Sequence, residues 1–435
     1  MKIKLTFIIG VLSACTLLLQ AQSIDEETAR AEACRFFNER ITKIPSKRDI
    51  SRQSPRLKLA EKRMLSNNET AYYIFNRGET DGFVVVGAQN EPIVLGYADE
   101  GDFDPHNIPD GLRELLNGYA DELEWAANQL QSISASPKDS TPDKPAIAPL
   151  CEAMWNQDDP YNRLTPIKSG KHAPTGCVAT AMSILMYHHR WPEQGSGSYG
   201  DVDFSKARYD WEQMTPTYGT ESEETACTEV AELMYHCGVA VKMKYGAAES
   251  GAFSTNVAPA LNNYFGYKGV LYAEKDQYGI KTWEDLIYNE LSENRPLYYA
   301  GGVHAFVCDG YDGNGYFHFN FGWGGRANGY FRLYAIRLSD VGIGGGEGDY
   351  SSGQCIVYGI ERPDANRHVP LSIIGYGNLF LTDFQNGSFG YDADVINAGE
   401  ETISIETGIE IKPSNGGGSQ FHFTNTESFQ AQYND

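Results

Sequence analysis

The stretch Thr175-Gly176-Cys177-Val178-Ala179-Thr180-Ala181-Met182 places a cysteine where a glycine-bearing loop turns into an amphipathic helix. A helix N-terminus lowers the pKa of a thiol through its exposed N–H groups and its dipole, and the thiolate is the nucleophilic form. The stretch Gly302-Val303-His304-Ala305-Phe306-Val307 places a histidine at the start of an apolar, strand-like run, and Asn320 lies in a later run. A cysteine, a histidine and an asparagine in this order predict nucleophilic catalysis by a thiol.

Each candidate also has a plainer interpretation. Cys177 could be a small apolar residue packed at the start of a helix, and Asn320 could close a turn at the end of a strand. His304 competes with His318 for the role of the base, since both lie in strand-like sequence. Gln157 precedes the cysteine by twenty residues, and its side-chain amide could donate to a developing oxyanion beside the Cys177 backbone N–H. A glutamine in such a setting is more often a surface residue.

Composition limits the classes of function. The 435 residues are too many for one ordinary domain, and a hydrophobic content of 41% is ample for packed cores. The formal net charge of −23 argues against nucleic acid as a partner, because a phosphate backbone selects basic surfaces. No CxxC pair and no HExxH motif occur, so no metal and no cofactor are expected. Residues 309–315 superficially resemble a calcium loop, but the closing carboxylate is missing and a turn between two strands is predicted instead.

The N-terminus predicts export. Residues 1–21 have the short positive region, the apolar core and the small-residue end of a cleaved signal peptide, so a secreted or cell-surface protein is expected. Leu12-Ser13-Ala14-Cys15 resembles a bacterial lipoprotein box, which makes a lipid anchor at Cys15 the less favoured alternative. No second apolar stretch is long enough for a transmembrane span. Without Cys15, seven of the eight cysteines remain, so at least one thiol stays unpaired in an oxidising compartment.

Residues 22–140 are predicted to form a small α+β domain. A helical and then basic segment reaches about residue 64, and a helix is predicted from about residue 110 to 130, after strands at 71–75, 82–86 and 92–97. Between Arg40 and Arg63 there are nine Lys or Arg residues against two acidic ones. This basic strip is either a solvated face or a docking surface for the acidic remainder of the chain, with the β-hairpin region carrying the apolar contact. A protease is expected to cut the linker that follows, between Lys138 and Pro149.

Residues 147–362 are predicted to form the largest domain, with helices first and strands second. Helices are predicted at 177–188, 223–237 and 282–294, and strands at 297–300, 305–309, 316–321, 330–334 and 355–360. With the cysteine on a helix and the histidine on the sheet, this order favours an α+β fold with a helical lobe, an antiparallel β lobe and a cleft between them. Residues 363–435 alternate short β runs with turns, which predicts an immunoglobulin-like sandwich of a size that suggests a truncated module.

The pattern resembles the streptopain family of secreted bacterial cysteine proteases (the C10 peptidases), within the papain-like superfamily. The matching pieces are Trp155-Asn156-Gln157, Pro160-Tyr161-Asn162, Leu164-Thr165-Pro166, Thr175 to Ala181, Met243 to Gly246, His304-Ala305-Phe306-Val307, Asp309-Gly310, Asn320, Gly322-Trp323-Gly324-Gly325 and Gly329-Tyr330-Phe331-Arg332-Leu333. The resemblance covers residues 150–362 well and residues 70–131 as a propeptide of the family's type. The signature that surrounds the cysteine in papain itself is absent.

The resemblance implies a role for each candidate. Cys177 would be the nucleophile, His304 the general base and then acid, Asn320 the residue that orients the imidazole, and Gln157 the oxyanion donor. Trp323 would shield the histidine and the asparagine.

Two residues depart from the pattern of the family, and the second of them concerns the substrate cleft. Phe321 stands where a tryptophan is expected, and Val303 stands where a glycine is expected to line the cleft. The segment at Ser250-Gly251 resembles the other wall of that cleft, so Gly251 and Val303 are the predicted substrate-binding residues. Subsite preference is left open by the change at Val303.

The resulting expectation is a secreted zymogen. It is expected to contain, in this order, a signal peptide, an inhibitory propeptide that acts on its own chain, a papain-like cysteine endopeptidase for protein and peptide substrates, and a β-rich extension. One rival is a Cys–His amidase or transglutaminase-type acyl transferase, which uses the same geometry on other acyl groups. The other is a secreted adhesin or inhibitor with an inactive protease domain, and the four intact catalytic positions argue against it.

Overall fold

The structure, a computed structural model, describes residues 23–43, 56–89, 92–128, 144–278, 280–335 and 353–363, together with the backbone of 373–383, 388–397, 403–411 and 420–429. The predicted signal at 1–21 lies outside these residues, as does the linker between residue 128 and Lys144.

The described helices have the following bounds: α1 Glu26–Lys43, α2 Asp110–Asn128, α3 Cys177–His189, α4 Glu224–Ala240, α5 Val257–Tyr264 and α6 Ile280–Ser292. The strands are β1 Leu57–Met64, β2 Thr70–Arg77, β3 Phe83–Gly87, β4 Ile93–Ala98, β5 Ile167–Lys168, β6 Lys171–His172, β7 Ser198–Tyr199, β8 Val202–Asp203, β9 Lys244–Tyr245, β10 Ser250–Gly251, β11 Leu271–Glu274, β12 Leu297–Gly301, β13 His304–Tyr311, β14 Phe317–Asn320, β15 Gly329–Phe331, β16 Cys355–Tyr358, β17 Ile373–Asp383, β18 Ser388–Asn397, β19 Ile403–Ile411 and β20 Gln420–Phe429.

One antiparallel sheet runs through both the N-terminal domain and the large domain. Its order is β1-β2-β3-β4-β15-β14-β13-β12-β16-β11, so the strands of residues 57–98 continue directly into those of residues 271–358. The junction is short, with Tyr330 opposite Tyr97 and Phe331 opposite Gly96. A Cβ at Gly96 would lie 2.2 Å from the Phe331 ring, so this close approach requires glycine.

Alternate residues of the central strands enter two different cores, as the period of two in a strand requires. Tyr299 and Phe306 enter one core, which also contains the apolar side of α2 and Trp283 of α6. Tyr298 and Val307 enter the other core, which belongs to the helical lobe of α3, α4 and α5. The sheet therefore has the N-terminal domain's helix α2 on one face and the helix that begins at the cysteine on the other.

Helix α1 covers a third core on the N-terminal half of the sheet. Ala29, Ala33 and Phe37 are buried there against Phe75 and Val84. Among the described residues, no helix has both the length and the apolar character needed to cross a bilayer.

The predicted elements are largely confirmed, and so is the two-lobed α+β class. The helices expected at 110–130, 177–188, 223–237 and 282–294 form as α2, α3, α4 and α6, and the expected strands form as β2, β3, β4 and β12 to β16. Strand β1 was missed because Leu57–Met64 reads as part of the basic segment. It is an edge strand, and charged side chains such as Lys58 and Lys62 are typical of edges because they discourage pairing with other chains.

The C-terminal residues form two antiparallel hairpins, β17 with β18 and β19 with β20. The β-rich character expected of 363–435 is thereby confirmed for the described backbone. The immunoglobulin-like sandwich stays a prediction.

Candidate active site

Cys177 is the first residue of α3, and Gly176 makes the turn into the helix. Gly176 has a φ of +88°, a left-handed conformation that glycine adopts without strain. A Cβ at this position would lie 2.8 Å from the Met243 side chain and 2.8 Å from the Ser250 carbonyl oxygen. Only glycine fits here, and the start of the helix is held against the β9–β10 hairpin.

The thiol of Cys177 is half-buried at the edge of the helical-lobe core. Burial raises the pKa of the thiol above its ordinary value, while the backbone N–H groups of Ala305, Val178 and Cys177 itself lower it and the nearby Asp110 carboxylate raises it again. The lowering by the helix N-terminus that the sequence predicts is therefore present but outweighed by burial in this form of the chain. The cysteine is held as a thiol.

His304 is the first residue of β13, directly after a tight turn at residues 301–303. Its backbone pairs with Gly301, and the N–H of its neighbour Ala305 faces the Cys177 thiol. The start of β13 therefore lies beside the start of α3, and the region between these two ends, which carry His304 and Cys177, is called the cleft below. Within the described parts of the chain, the imidazole has no hydrogen-bond or ion-pair partner.

Asn320 ends β14 and is 1% exposed. Its Nδ2 donates to the Ala153 carbonyl oxygen at 2.8 Å, and its Oδ1 accepts the Gly322 N–H at 3.1 Å. In the sheet it pairs with Val307, three residues beyond His304. In this form of the chain the amide holds the backbone of Ala153 and Gly322, and the imidazole is not among its partners.

Gln157 lies on the loop beside the cysteine. Its carbonyl oxygen accepts the Thr175 N–H at 3.1 Å, which fixes this loop two residues before Cys177. Its side-chain amide has no hydrogen-bond partner among the residues that the structure describes. An amide that is unpaired beside the nucleophile is free to donate to a substrate oxygen.

Trp323 lies half-buried in the turn after β14. Its carbonyl oxygen accepts the Arg326 N–H at 3.1 Å, and the next residue, Gly324, donates its N–H to the Trp155 carbonyl at 2.8 Å. The turn is thus attached to the segment that carries Gln157. The shielding role of Trp323 stays a prediction.

The two predicted substrate residues are both exposed, and their role in substrate binding stays a prediction. Gly251 is exposed on β10, beside the Ser250 carbonyl that packs on Gly176. Val303 is 80% exposed at the tip of the turn before His304. Phe253, 70% exposed, adds an apolar side chain near Gly251 that the sequence did not single out.

His318, the other candidate for the base, forms a buried pair with Asp309 that holds the fold together. Its Nδ1 lies 2.5 Å from Oδ1 of Asp309, which is fully buried and whose Oδ2 accepts the Cys151 N–H at 3.0 Å. The His318 ring also packs against the Tyr330 ring. This pair ties the start of the large domain to β13 and β14, and it leaves His304 as the histidine at the cleft.

Helix α2 of the N-terminal domain lies over the histidine side of the cleft, which sequence reasoning missed. A Cβ at Gly111 would lie 2.9 Å from the Phe306 ring, and a Cβ at Gly302 would lie 2.6 Å from the Glu114 carboxylate. Asp110, at the start of α2, is close enough to raise the pKa of Cys177. The spacing of Asp110 and Glu114, four residues apart on one face of a predicted helix, was the available signal.

The basic strip contributes one described ion pair with the large domain. Arg40 contacts Asp99 at 3.0 Å and Asp312 of the large domain at 3.5 Å, and its guanidinium lies 3.9 Å from the centre of the Tyr97 ring. Lys47, Arg48 and Arg52 lie outside the described residues, and Arg56 is exposed. The apolar contact runs through α2 and strand β4 as well as through the hairpin.

Sequence reasoning gave no role to Thr175 and Thr180, although both lie in the stretch around the cysteine. Both are buried, with their hydroxyl oxygens 2.8 Å apart. Two hydroxyl residues at −2 and +3 from a helix-start cysteine were the signal.

Known families match both parts of the chain. The peptidase C10 family matches residues 155–331, and the Spi protease inhibitor family matches residues 21–123. The chain is 37% identical over 390 residues to the thiol protease/hemagglutinin PrtT of Porphyromonas gingivalis, which covers 82% of this chain but only 44% of PrtT. It is 33% identical over 321 residues to streptopain of Streptococcus pyogenes, which covers 66% of this chain and 80% of streptopain.

A solved structure extends the match to the fold. A fragment of prointerpain A from Prevotella intermedia is similar with a TM-score of 0.60 at 27% sequence identity, over 71% of this chain and 100% of the fragment. Both the inhibitor-like domain and the protease domain thus have counterparts in cysteine protease precursors. The identity to streptopain over four fifths of its length establishes that the chain belongs to the peptidase C10 family, with the architecture of a cysteine protease zymogen.

Proposed function

We propose that residues 147–362 are a cysteine endopeptidase that hydrolyses peptide bonds of proteins and peptides through a thioester on Cys177. The observation that carries this proposal is the half-buried thiol at the start of α3, which three backbone N–H groups approach, one of them from Ala305, the residue after His304. Donors at this position stabilise a thiolate and also the negative charge that develops on a substrate carbonyl oxygen.

Each of the four residues has a defined role in the proposed reaction. The sulfur of Cys177 attacks the carbonyl carbon of the substrate after His304 has taken the thiol proton, and the Cys177 N–H and the Gln157 amide donate to the oxyanion. The carbon–nitrogen bond then breaks, and His304 gives its proton to the leaving amine. Water attacks the thioester while His304 removes a water proton, and the acid product leaves as the thiol re-forms. Asn320 orients the imidazole during both steps.

The N-terminal domain, residues 22–140, is proposed to be an inhibitory propeptide. Its helix α2 packs against the histidine side of the cleft, with the Glu114 carboxylate beside Gly302, and the Asp110 carboxylate is close enough to raise the pKa of Cys177. Carboxylates beside the thiol disfavour the thiolate. Release of this domain would remove both the cover and the charges.

The cut is proposed to fall before Lys144, within the residues that the sequence marks as linker. Lys144 pairs with Asp285 at 2.5 Å, and Ile147 exchanges two backbone hydrogen bonds with Tyr311 at 2.7 and 2.8 Å. These contacts attach residues 144–147 to the large domain. The expected cleavage region, Lys138 to Pro149, is therefore restricted to the residues before Lys144.

Export completes the proposal. Residues 1–21 would direct secretion, with a lipid anchor at Cys15 as the alternative that leaves the protein at the cell surface. The relatives PrtT and streptopain are bacterial proteases, which supports an extracellular setting. The β-rich residues 363–435 follow the protease domain and have no assigned role.

The test uses the full chain and a protein substrate such as casein under reducing conditions. The Cys177→Ala variant should lose hydrolysis by at least ~10⁴-fold and should stay full length when incubated alone. Cys34→Ala, which removes a half-buried thiol of the N-terminal domain, is the matched control and should hydrolyse normally. Hydrolysis retained in Cys177→Ala would overturn the proposal. Transfer of the acyl group to an added amine, with little hydrolysis, would favour the acyl transferase instead.

A further inference from the structure

Two buried threonines flank the nucleophile. Thr175 is 0% exposed and Thr180 is 1% exposed, and the chain places them two residues before and three residues after Cys177. Their hydroxyl oxygens are 2.8 Å apart. Neither hydroxyl touches solvent or the thiol, so the pair has no use in the chemistry assigned above.

The direction of these hydrogen bonds can be assigned. The Thr180 hydroxyl donates to the Gly176 carbonyl oxygen at 3.0 Å. A hydroxyl has one proton, so the bond between the two threonines must be donated by Thr175. The Thr180 backbone N–H donates to the same carbonyl, also at 3.0 Å. The Gly176 carbonyl is therefore held by two donors, one of which is fixed by Thr175.

This carbonyl shares a planar peptide unit with the Cys177 N–H. In a trans peptide the carbonyl and the N–H point in opposite directions, so the orientation of one sets the orientation of the other. Because the Gly176 carbonyl accepts both of its bonds from within α3, the Cys177 N–H is directed out of the helix start, toward the thiol beside which a substrate oxyanion would form. Gly176, which has a φ of +88°, has no side chain that could support this peptide unit.

Thr180 also touches the other wall of the site. A Cβ at Gly322 would lie 2.9 Å from the Thr180 methyl group, and the Gly322 N–H donates to the Asn320 side chain. The same threonine thus packs against the turn that holds Asn320.

A hydrogen bond from a threonine or serine to the carbonyl four residues earlier is common in helices and is usually only local. The helix offers a direct comparison, because the Ser183 hydroxyl donates to the Ala179 carbonyl at 2.8 Å and is also fully buried. The pair near the cysteine differs in two ways. The donating hydroxyl, that of Thr180, is itself held by the Thr175 hydroxyl. The accepting carbonyl, that of Gly176, belongs to the same peptide unit as the Cys177 N–H.

We propose that the Thr175–Thr180 hydroxyl pair is a positioning device that aims the Cys177 N–H at the oxyanion. The proposal rests on the proposed function, in which Cys177 is the nucleophile and its N–H is an oxyanion donor. The threonines do not touch the substrate. They act through the Gly176–Cys177 peptide.

The test compares acyl transfer with alkylation in the matured enzyme. Thr180→Val keeps the branched shape and removes the hydroxyl, and its kcat for a peptide amide should fall about tenfold with KM changed less than about twofold, because a misaimed donor weakens only the transition state. The affinity for a peptide aldehyde, whose adduct carries an oxygen at the oxyanion position, should fall by a similar factor. The rate of Cys177 alkylation by iodoacetamide should stay within about twofold, since displacement of iodide creates no oxyanion.

Three further variants make the result specific. Thr180→Ser restores the hydroxyl and should restore kcat, Thr175→Val should cause a smaller loss of the same kind, and Ser183→Ala should behave as wild type. An unchanged kcat in Thr180→Val would overturn the proposal, and so would an equal fall in kcat and alkylation rate, which indicates a general disturbance of the helix start. If Thr180→Val does not fold, Thr175→Val and Thr180→Ser decide the matter by the same readouts. Hydrolysis retained in Cys177→Ala would instead show that the proposed function itself has failed.

Discussion

The two sides of the cleft differ in how firmly their residues are held by hydrogen bonds. On the cysteine side, the backbone is held in place by the Gly176 turn, the Thr175–Gln157 hydrogen bond and the threonine pair. On the histidine side, the His304 imidazole has no partner among the described residues, and Val303 beside it is 80% exposed.

Helix α2 contacts the same two sides in different ways. On the histidine side it packs directly, with Glu114 against Gly302 and Gly111 against Phe306. On the cysteine side its effect is electrostatic, through Asp110. We infer that the backbone around the nucleophile is built in advance, and that release of α2 uncovers the histidine side and removes the Asp110 charge from the neighbourhood of the thiol.

The largest expected effect comes from His304→Ala. In the matured enzyme, obtained by cutting the linker with an added protease, hydrolysis should fall by at least ~10³-fold, because the acid and base of both steps is lost. In the precursor, alkylation of Cys177 should be the same in His304→Ala and in wild type, since the imidazole is not engaged there. Mass spectrometry of the Cys177 peptide measures the alkylation. A slower alkylation of the precursor variant would show that the pair is already formed and would remove the contrast between the two sides.

A smaller effect is expected from Asn320→Ala. The kcat of the matured enzyme should fall about tenfold, because orientation of the imidazole is a secondary contribution. The amide also holds Ala153 and Gly322, so thermal unfolding must be measured beside kcat. Asn328→Ala is the matched control, since the Asn328 side chain accepts the Phe321 N–H at 3.0 Å in the same region. A kcat loss in Asn328→Ala as large as in Asn320→Ala would mean that Asn320 has only a structural role.

The smallest effect is expected from Arg40→Met, far from the chemistry. Arg40 joins the N-terminal domain to Asp312, a largely buried carboxylate that also accepts the Tyr97 hydroxyl proton at 3.0 Å. Losing this partly exposed pair should speed conversion of the precursor roughly threefold, and added salt should narrow the difference from wild type. Arg35→Met is the control, because among the described residues Arg35 pairs only with Glu32 and Glu39 of its own helix. Equal conversion rates in Arg40→Met and Arg35→Met would contradict a docking role for Arg40.

The parts of the structure that the sequence predicts are those with local signals. The Gly176–Cys177 helix start, the apolar strand after His304 and the amphipathic helix α2 each have their own pattern, and each was located within a few residues. The continuous sheet has no such signal, because its junction consists of two residue pairs between segments more than 200 residues apart. Strand β1 was missed for a related reason. Its charges, which protect an edge, were interpreted as a basic strip.

The candidate site likewise has features with a local sequence signal and features that depend on distant contacts. Cys177, His304, Asn320 and Gln157 could be selected from residue type, order and a family resemblance. The state of the thiol could not be predicted, because it depends on burial in the folded chain and on the Asp110 carboxylate, which lies nearly 70 residues earlier in the sequence. Local reasoning gave the helix dipole, which lowers a thiol pKa, and tertiary packing reversed the net effect.

The most direct measurement is the pH dependence of Cys177 alkylation by iodoacetamide before and after maturation. In the precursor the midpoint should lie above the ordinary thiol pKa, since burial and Asp110 both disfavour the thiolate. Removal of a negative charge stabilises the thiolate, so Asp110→Asn should lower the midpoint of the precursor, whereas Asp121→Asn on the exposed side of the same helix should not. In the matured enzyme the midpoint should fall further, with at least a tenfold faster reaction near pH 7, equivalent to a shift of about one pKa unit or more. The same midpoint in precursor and matured enzyme would contradict the inference that α2 holds the cysteine as a thiol.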